Sequence, residues 1–196
     1  MASLRLIVLA SASRYRRELL ARLGLPFESA APDIDEAEIP GESTSDTALR
    51  LAILKARAIG RRFPDALVIG SDQVASCGGV RLGKPGNHAN AVRQLELMSG
   101  KTALFETALA LLDTARDAIR TRVVACRVTF RPLERSTIEA YLAREQPYDC
   151  AGSAKAEGLG IALIQRIETE DPTALIGLPL IALTELLAEA GMPVIG

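Results

Sequence analysis

The chain has 196 residues, of which 48% are hydrophobic, so it can bury a substantial core as one domain or as two closely joined lobes. A formal net charge of −1 and a pI near 6.0 argue against a general binder of duplex nucleic acid, because such proteins are strongly basic. Cys77, Cys126 and Cys150 lie too far apart for a zinc site or a disulfide framework and fit a reducing cytoplasm, and no stretch is long enough for a signal peptide or a membrane span.

The first predicted elements are a strand, a short turn and a helix. Residues 4–10 are apolar except for one arginine, which is typical of a buried strand, and they end at Ser11-Ala12-Ser13. Residues 14–23 have the apolar spacing of an amphipathic helix, with Ser13 as its N-cap and Gly24 as its C-terminal stop. The serine hydroxyls are therefore expected beside the N-terminus of a helix.

Three arginines, Arg14, Arg16 and Arg17, lie in the first turn of this helix. Their position is unusual, because the N-terminus of a helix is already partly positive and normally attracts Asp or Glu. The arginines are either solvated on an exposed face, or they bind an anion together with backbone N–H groups and the serine hydroxyls. We favour the second interpretation, a phosphate site.

An acidic loop over residues 32–38, which includes Glu36, follows a second predicted strand over residues 27–31. Such a cluster is by default an exposed turn. It is also able to supply carboxylate oxygens to Mg²⁺ or Mn²⁺, which prefer hard ligands and tolerate several waters. The residues alone leave both interpretations open.

A long helix is predicted over residues 43–63, with Ser43 and Asp46 at the spacing of a capping box. Lys55 falls on its apolar side, three residues after Ala52 and four before Ile59. A lysine in such a position either extends along the surface to water or points inward to an anionic ligand. Lys55 is therefore a candidate ligand-binding residue.

The central strand of the sequence covers residues 66–75 and is apolar around one carboxylate, Asp72. Burying an ionised carboxylate is costly unless cations or donors pair with it, so we take Asp72 as the chemical centre. Gly70 lacks a side chain just before it, which allows a bulge or the close approach of a ligand. After this strand, Gly78-Gly79 predicts a two-residue hairpin turn that returns Lys84 toward the level of Asp72.

The rest of the chain alternates helices and strands without repeats or linkers, which predicts a compact α/β protein. His88, the only histidine, is expected to be solvated near a helix start, and its isolation argues against a Ser-His-Asp triad. Residues 148–160 are rich in glycine and small side chains and suit a loop pressed against a ligand or a neighbouring backbone. The remaining predictions are helices over residues 88–99, 134–145 and 177–187, a strand over 161–167, and two edge-tolerant strands over 102–113 and 119–131.

Five segments of the chain resemble one known family in order and spacing, almost end to end. They are Leu9-Ala10-Ser11-Ala12-Ser13-Arg14-Tyr15-Arg16-Arg17, Gly70-Ser71-Asp72-Gln73-Val74, Gly83-Lys84-Pro85, Cys150-Ala151-Gly152-Ser153-Ala154-Lys155-Ala156-Glu157-Gly158 and Asp171-Pro172-Thr173-Ala174-Leu175-Ile176-Gly177-Leu178-Pro179-Leu180. The family is that of the Maf nucleotide pyrophosphatases. The second and fourth segments resemble its 7-methyl-GTP pyrophosphatase branch rather than its dTTP/UTP branch.

This resemblance implies a fold and an activity. The implied fold is a long twisted mixed β-sheet flanked by helices, similar to inosine triphosphate pyrophosphatases, with residues 1–196 as a single domain of two lobes around one central cleft. The implied activity is release of pyrophosphate from a nucleoside triphosphate with a divalent metal cation, Mg²⁺ or Mn²⁺.

The same resemblance assigns roles to individual residues. Asp72 matches the proton acceptor that activates water, although it is also a candidate metal ligand together with Glu36, which matches an acidic position near the triphosphate. The residues that match positions around the triphosphate are Ser11, Arg16, Lys55 and Lys84. Those that match the specificity positions are Tyr15, Gln73 and Glu157.

Recognition of the base follows from the chemistry of two of these residues. Methylation at N7 makes guanine cationic, and an aromatic ring such as that of Tyr15 stabilises a desolvated cation by up to ~2 kcal/mol. Glu157 is suited to accept hydrogen bonds from the guanine N1–H and N2–H₂ groups, a pairing worth about 1–3 kcal/mol by analogy with base readout. The chain departs from the family at Arg14, where other members often have proline, and Arg14 adds a candidate phosphate contact.

Two other functions remain alternatives at this point. One is a broad house-cleaning nucleotide pyrophosphatase without preference for the methyl group. The other is inhibition of septum formation through binding of a division protein. The expected partners are a small-molecule nucleotide and a second copy of the chain in a homodimer, with no nucleic acid and no membrane.

Overall fold

The computed structural model describes residues 5–195, and within them seven strands form one sheet with five α-helices. The strands are β1 Leu6–Ala10, β2 Phe27–Ala30, β3 Ala66–Cys77, β4 Val80–Leu82, β5 Thr102–Asp113, β6 Ala118–Phe130 and β7 Ile164–Thr169. The α-helices are α1 Arg14–Ala21, α2 Thr44–Gly60, α3 His88–Met98, α4 Arg135–Glu145 and α5 Leu180–Glu189. The predicted α/β class is therefore confirmed.

The sheet is mixed, as expected. Its order is β2-β1-β3-β5-β6-β7, with β4 paired to the end of β3. Strand β1 runs parallel to both β2 and β3, whereas β3 and β4 are antiparallel, as are β6 and β7. Every residue of β3 from Ala66 to Asp72 is buried, which confirms that this stretch is a core strand.

Close packing of α2 on β3 depends on Gly70. A Cβ atom at this position would lie 2.1 Å from the carbonyl oxygen of Ala52 and 2.8 Å from the backbone nitrogen of Ala56. Only glycine permits this approach, because no real Cβ tolerates such distances. The backbone that comes close to Gly70 is thus that of a helix, and this contact holds α2 beside the strand that carries Asp72.

The hairpin between β3 and β4 forms as predicted. Gly78 and Gly79 both have positive φ, at 57° and 81°, as a two-residue type I′ turn requires. The turn sets the register, which pairs Cys77 with Val80 and Ala75 with Leu82.

The chain divides into two compact units. Among the described residues, the first unit takes in 5–73, 107–124 and 171–195, and the second takes in 74–106 and 125–170. The first unit contains a buried apolar cluster in which Ile7 and Ile69 of the sheet pack with Leu19 of α1 and Leu183 of α5. The arrangement of two lobes around a cleft stays a prediction.

Several boundaries differ from the predictions, and Leu4 lies outside the described residues. Helices α1 and α2 end two or three residues earlier than expected, and β7 begins at Ile164 because Leu159–Leu163 forms a 3-10 helix. Strands β5 and β6 each lie between two neighbouring strands, so neither is at an edge of the sheet, although their sequences were expected to tolerate that position. Within residues 5–195, no helix is both long enough and apolar enough to cross a membrane.

Candidate active site

The turn after β1 is built by serines. The Ser13 hydroxyl accepts a hydrogen bond from the Arg16 backbone nitrogen at 3.4 Å and caps α1, as predicted. The Ser11 hydroxyl is buried and accepts from the Ser13 backbone nitrogen at 3.1 Å. Both serines therefore already pair with N–H groups at the start of α1.

Arg16 is the arginine of α1 that turns inward. Its Nε donates to the carbonyl oxygen of Gly177 at 2.7 Å. Burial lowers the pKa of the Arg16 guanidinium, while the negative charges of Asp72 and Glu36 act in the opposite direction. Arginine stays protonated at neutral pH even so, which leaves a half-buried cation close to two carboxylates.

Arg14 packs against an aromatic ring instead. Its guanidinium carbon lies 4.7 Å from the centre of the Tyr15 ring, and one of its nitrogens donates to the Tyr15 hydroxyl at 2.6 Å. Tyr15 thus contacts a cationic side chain of the protein, and its predicted contact with a cationic base stays a prediction. Whether Arg14 also contacts phosphate stays a prediction.

The chemical centre of the first unit is a cluster of Lys55, Asp72 and Glu36, called here the Lys55 cluster. The Lys55 Nζ lies 2.6 Å from Oδ1 of Asp72 and 2.8 Å from Oε1 of Glu36. The Lys55 side chain is only 7% exposed, so the interpretation that it extends to water is wrong. The side chain points inward, and its contact with an anionic ligand stays a prediction. The acidic loop is exposed at Glu36, whose side chain is 57% accessible, yet it still reaches this lysine.

Asp72 has one anchored and one open carboxylate oxygen. Its Oδ1 accepts from Lys55, whereas Oδ2 makes no hydrogen bond to any residue that the structure describes. A carboxylate with a fixed orientation and an open oxygen is suited to take a proton from a water molecule. The same oxygen is equally suited to bind a metal ion.

The donor set also fits a divalent cation. Two carboxylates converge on one ammonium, so they are close enough together to share a small cation with the phosphates of a nucleotide. No group of three or more His, Cys, Asp or Glu side chains within residues 5–195 forms a complete metal cage. Proteins commonly hold Mg²⁺ through one or two carboxylates and substrate phosphates, so a divalent cation at Asp72 and Glu36 stays a prediction.

Gln73 is held by a network that fixes the orientation of its amide. Its Nε2 donates to the Thr107 hydroxyl at 2.9 Å and to the carbonyl oxygens of Ala174 and Leu175 at 2.9 and 3.2 Å. The Thr107 hydroxyl gives its own proton to Ala174 O at 2.9 Å, so toward Gln73 it acts only as an acceptor. Because all three neighbours accept, the nitrogen must face them, and Oε1, which has no partner among the described residues, is free to accept from a ligand.

In the second unit, Lys84 lies two residues beyond the end of β4 in an exposed segment. It lines a surface pocket of about 300 Å³ together with Arg81 and Arg93, and the lining contains no carboxylate. Such a lining favours anions, and the role of Lys84 at the phosphates stays a prediction. Its approach to Asp72 stays a prediction.

Glu157 is exposed in a turn of the same unit, between the 3-10 helices Ala151–Ser153 and Leu159–Leu163. Within the described residues, its carboxylate makes no hydrogen bond or ion pair. The segment predicted as a loop of small residues contains turns and two short 3-10 helices, and its Glu157 side chain is open to a ligand.

Comparisons with known proteins identify the family. The sequence profile described as "Maf-like protein" matches residues 6–190. The chain belongs to the Maf family. It is 60% identical over 189 residues to the 7-methyl-GTP pyrophosphatase of Thiobacillus denitrificans, covering 96% of this chain and 94% of that protein. It is 56% identical to the protein of the same name from Nitrosospira multiformis, covering 96% of each.

A solved structure also aligns with this Maf protein. The structure of a HAM1 protein from Coxiella burnetii has a TM-score of 0.46 and 19% sequence identity, and covers 65% of this chain and 73% of that chain.

The structure of this Maf protein brings some of the predicted site residues together. In the first unit, Lys55 contacts both Asp72 and Glu36, and the charge of Arg16 acts on the same pair of carboxylates. Sequence reasoning missed Thr107, whose hydroxyl fixes Gln73. A buried threonine in a strand carries no signal of its own in the sequence.

Proposed function

We propose that this Maf protein hydrolyses 7-methyl-GTP to 7-methyl-GMP and pyrophosphate. The observation that carries the chemistry is the open Oδ2 of Asp72 beside the buried ammonium of Lys55. The substrate is suggested by relatives that are 53–60% identical and bear the name 7-methyl-GTP pyrophosphatase.

In the reaction, a water oxygen attacks the α-phosphorus, and the bond from that phosphorus to the bridging oxygen of the leaving pyrophosphate breaks. Asp72 accepts the proton of the water through Oδ2. The negative charge of the triphosphate repels the attacking water oxygen. Lys55 and Arg16 lower this barrier because they stabilise the negative charge that develops on the phosphate oxygens. Lys84 acts in the same way on the phosphates.

A divalent cation, Mg²⁺ or Mn²⁺, belongs to this proposal. Glu36 and Asp72 would hold it, and it would supply charge neutralisation at the phosphates. Asp72 is then a metal ligand, a proton acceptor or both. Ser11 and Arg14 are further candidates for contacts with the phosphates.

Selection of the base is assigned to three side chains. Tyr15 offers an aromatic face to the cationic methylated ring, Gln73 offers the carbonyl oxygen of its amide, and Glu157 offers a carboxylate. Guanine has adjacent N1–H and N2–H₂ donors, whereas thymine and uracil have one N–H donor, so paired acceptors favour guanine.

We further propose a cytoplasmic location and a homodimer, with neither nucleic acid nor a membrane as partner. The location is supported by the cysteines, since Cys77, Cys126 and Cys150 are all free thiols.

The test is pyrophosphate release from 7-methyl-GTP, GTP, dTTP, UTP and ITP with Mg²⁺ or Mn²⁺, by the wild type, Tyr15→Leu and Tyr15→Phe. We expect the wild type to prefer 7-methyl-GTP, and Tyr15→Leu to lose up to about 30-fold of the preference over GTP, from ~2 kcal/mol of cation–π interaction. Tyr15→Phe keeps the ring and should keep the preference. Equal turnover of all five substrates would support the broad house-cleaning enzyme instead, and no turnover of any would support action through a protein partner.

A further inference from the structure

The turn that carries Glu157 is closely packed within the second unit. The Gly158 backbone nitrogen donates to Lys155 O at 3.0 Å, which closes the turn around Glu157. A Cβ atom on Gly160 would lie 2.6 Å from the backbone nitrogen and oxygen of Lys155. Residues 155–160 therefore form a tight unit, called here the 155–160 turn, in which Glu157 is exposed.

Glu145, the last residue of α4, holds this turn through both of its carboxylate oxygens. Oε2 accepts from the Leu159 backbone nitrogen at 2.8 Å, and Oε1 accepts from Lys155 Nζ at 3.0 Å. The carboxylate also covers Gly158 so closely that a Cβ there would lie 2.8 Å from Oε2. Glu145 thus contacts residues on both sides of Glu157.

Tyr141 gives a second contact from the same face of α4, four residues earlier. Its hydroxyl accepts from the Lys155 backbone nitrogen at 3.1 Å. Burial raises the pKa of the Tyr141 hydroxyl, so it stays a neutral phenol at any pH at which the enzyme would work. Two side chains of one helix therefore fix the start of the turn, and Glu145 alone also fixes its end.

The position of Glu145 is unfavourable for the helix itself. An acidic side chain at a helix C-terminus faces the negative end of the helix dipole. The hydrogen bond from the Leu159 N–H nevertheless lowers the pKa of the Glu145 carboxyl. Desolvation raises this pKa, and the ion pair with Lys155 lowers it further. The charge of Glu145 is stabilised by the turn, and the turn is held by that charge.

We propose that Glu145 is a positioning residue for base selection, because it fixes the 155–160 turn so that Glu157 meets the base in one orientation. The inference rests on the proposed function, in which Glu157 accepts from guanine. A bidentate contact of this kind depends on direction, and a displacement of about 1 Å is enough to cost up to ~100-fold in rate. Without Glu145, Glu157 keeps its charge but loses its fixed position.

The test compares Glu145→Ala with Glu145→Gln, whose side-chain carbonyl still accepts from Leu159 while the ion pair with Lys155 is lost. The readout is the ratio of kcat/KM for 7-methyl-GTP to that for UTP. We expect Glu145→Ala to lower this ratio about tenfold, mainly through KM for 7-methyl-GTP, and Glu145→Gln to retain most of it. Glu139→Ala is the matched control, because Glu139 lies on the same helix, pairs with His88 and Arg135, and does not contact the turn.

A double-mutant cycle separates positioning from a general loss of stability. If Glu145 acts through Glu157, then Glu145→Ala should change the ratio no further in a Glu157→Ala background. Hydrogen exchange at the Leu159 amide should speed up in Glu145→Ala and stay slow in Glu157→Ala.

Three outcomes would overturn the proposal: an unchanged ratio in Glu145→Ala, an equal fall in the Glu139→Ala control, or additive effects in the cycle. Failure of the proposed function is seen separately, in the wild type alone, as equal turnover of 7-methyl-GTP and UTP. In that case the wild type has no base preference for Glu145 to affect, and the inference about base selection is overturned as well. This holds even if faster hydrogen exchange at the Leu159 amide in Glu145→Ala shows that Glu145 holds the turn.

Discussion

Replacing Asp72 by asparagine tests the chemistry of the Lys55 cluster with little change of shape. The asparagine Oδ1 still offers an acceptor to the Lys55 ammonium, which lies 2.6 Å from the corresponding oxygen of Asp72. The substitution removes the negative charge and the capacity to take up a proton. We therefore expect a folded protein that has lost most of its pyrophosphate release.

The size of the loss in rate follows from the role of the carboxylate. A positioned general base contributes about 10²- to 10⁴-fold, so kcat for 7-methyl-GTP should fall within this range. If Asp72 acts chiefly as a metal ligand, the Mg²⁺ concentration needed for half-maximal activity should rise as well. A Mg²⁺ titration of the asparagine variant therefore separates the two roles.

The effect on stability is smaller than for an isolated buried pair. Removing one partner of a buried ion pair commonly costs about 3–5 kcal/mol, because a charge is left uncompensated. Here Glu36 remains 2.8 Å from the Lys55 Nζ, so the ammonium keeps one counter-ion. We expect a decrease of about 1–2 kcal/mol in the free energy of unfolding, measured in urea.

The matched partner is Lys55→Met, alone and combined with Asp72→Asn. Lys55→Met leaves two carboxylates without their shared cation and should destabilise the protein more than Asp72→Asn. The double variant should be more stable than the sum of the single effects predicts. Retention of more than a tenth of the wild-type rate by Asp72→Asn, or strictly additive stabilities, would refute this account of the cluster.

Three further predictions use the same two measurements. Gly177→Ala should lower the free energy of unfolding by about 1–2 kcal/mol, because φ at this position is 118°, and an unchanged value would contradict it. Thr107→Val removes one of the acceptors that orient Gln73 and should reduce the preference for 7-methyl-GTP, whereas Thr107→Ser should retain it; equal behaviour of the two variants would exclude the hydroxyl as the cause. The Arg5 guanidinium holds the pKa of the buried Asp113 carboxyl far below its unfolded value of about 3.9. The pair therefore stabilises the protein fully above about pH 3.9, and this stabilisation decreases as the pH falls from there toward the pKa of the folded state. Asp113→Asn should lower the free energy of unfolding by about 1–2 kcal/mol at pH 7, because Asp65 remains 3.2 Å from Arg5 as a counter-ion. The variant should also lose less stability in acid than the wild type, and an unchanged pH dependence would count against the pair.

Features set by neighbouring residues could be predicted from the sequence. Asp72 was recognisable because a carboxylate inside an apolar strand demands partners, and Lys55 because a lysine on the apolar side of a helix has few ways to be satisfied. The two-residue turn between β3 and β4 followed from Gly78-Gly79, since glycine readily adopts the positive φ that both positions of such a turn require. In each case the physical constraint acts over a few residues.

Features that depend on distant backbone groups could not be predicted. The amide of Gln73 is oriented by carbonyl oxygens of Ala174 and Leu175, more than 100 residues away. Glu145 looked like an ordinary last residue of a helix, although its acceptor atoms hold a turn ten or more residues later. The start of β7 was misplaced for a different reason, because the short apolar run at residues 159–163 fits a strand and a 3-10 helix equally well.

The charges of the first-unit site explain why a divalent cation belongs to the proposed function. Asp72 and Glu36 are matched there by Lys55 and Arg16, so these four side chains carry no net charge. A triphosphate brings only negative charge to them, and each cation that turns to a phosphate leaves a carboxylate uncompensated. We therefore expect binding to need positive charge beyond these four groups, which the proposed divalent cation would provide. By this reasoning, substrate affinity should fall steeply when the divalent cation is chelated. Glu36→Gln removes one of the two carboxylates proposed to hold that cation, so it should raise the Mg²⁺ concentration that substrate binding requires.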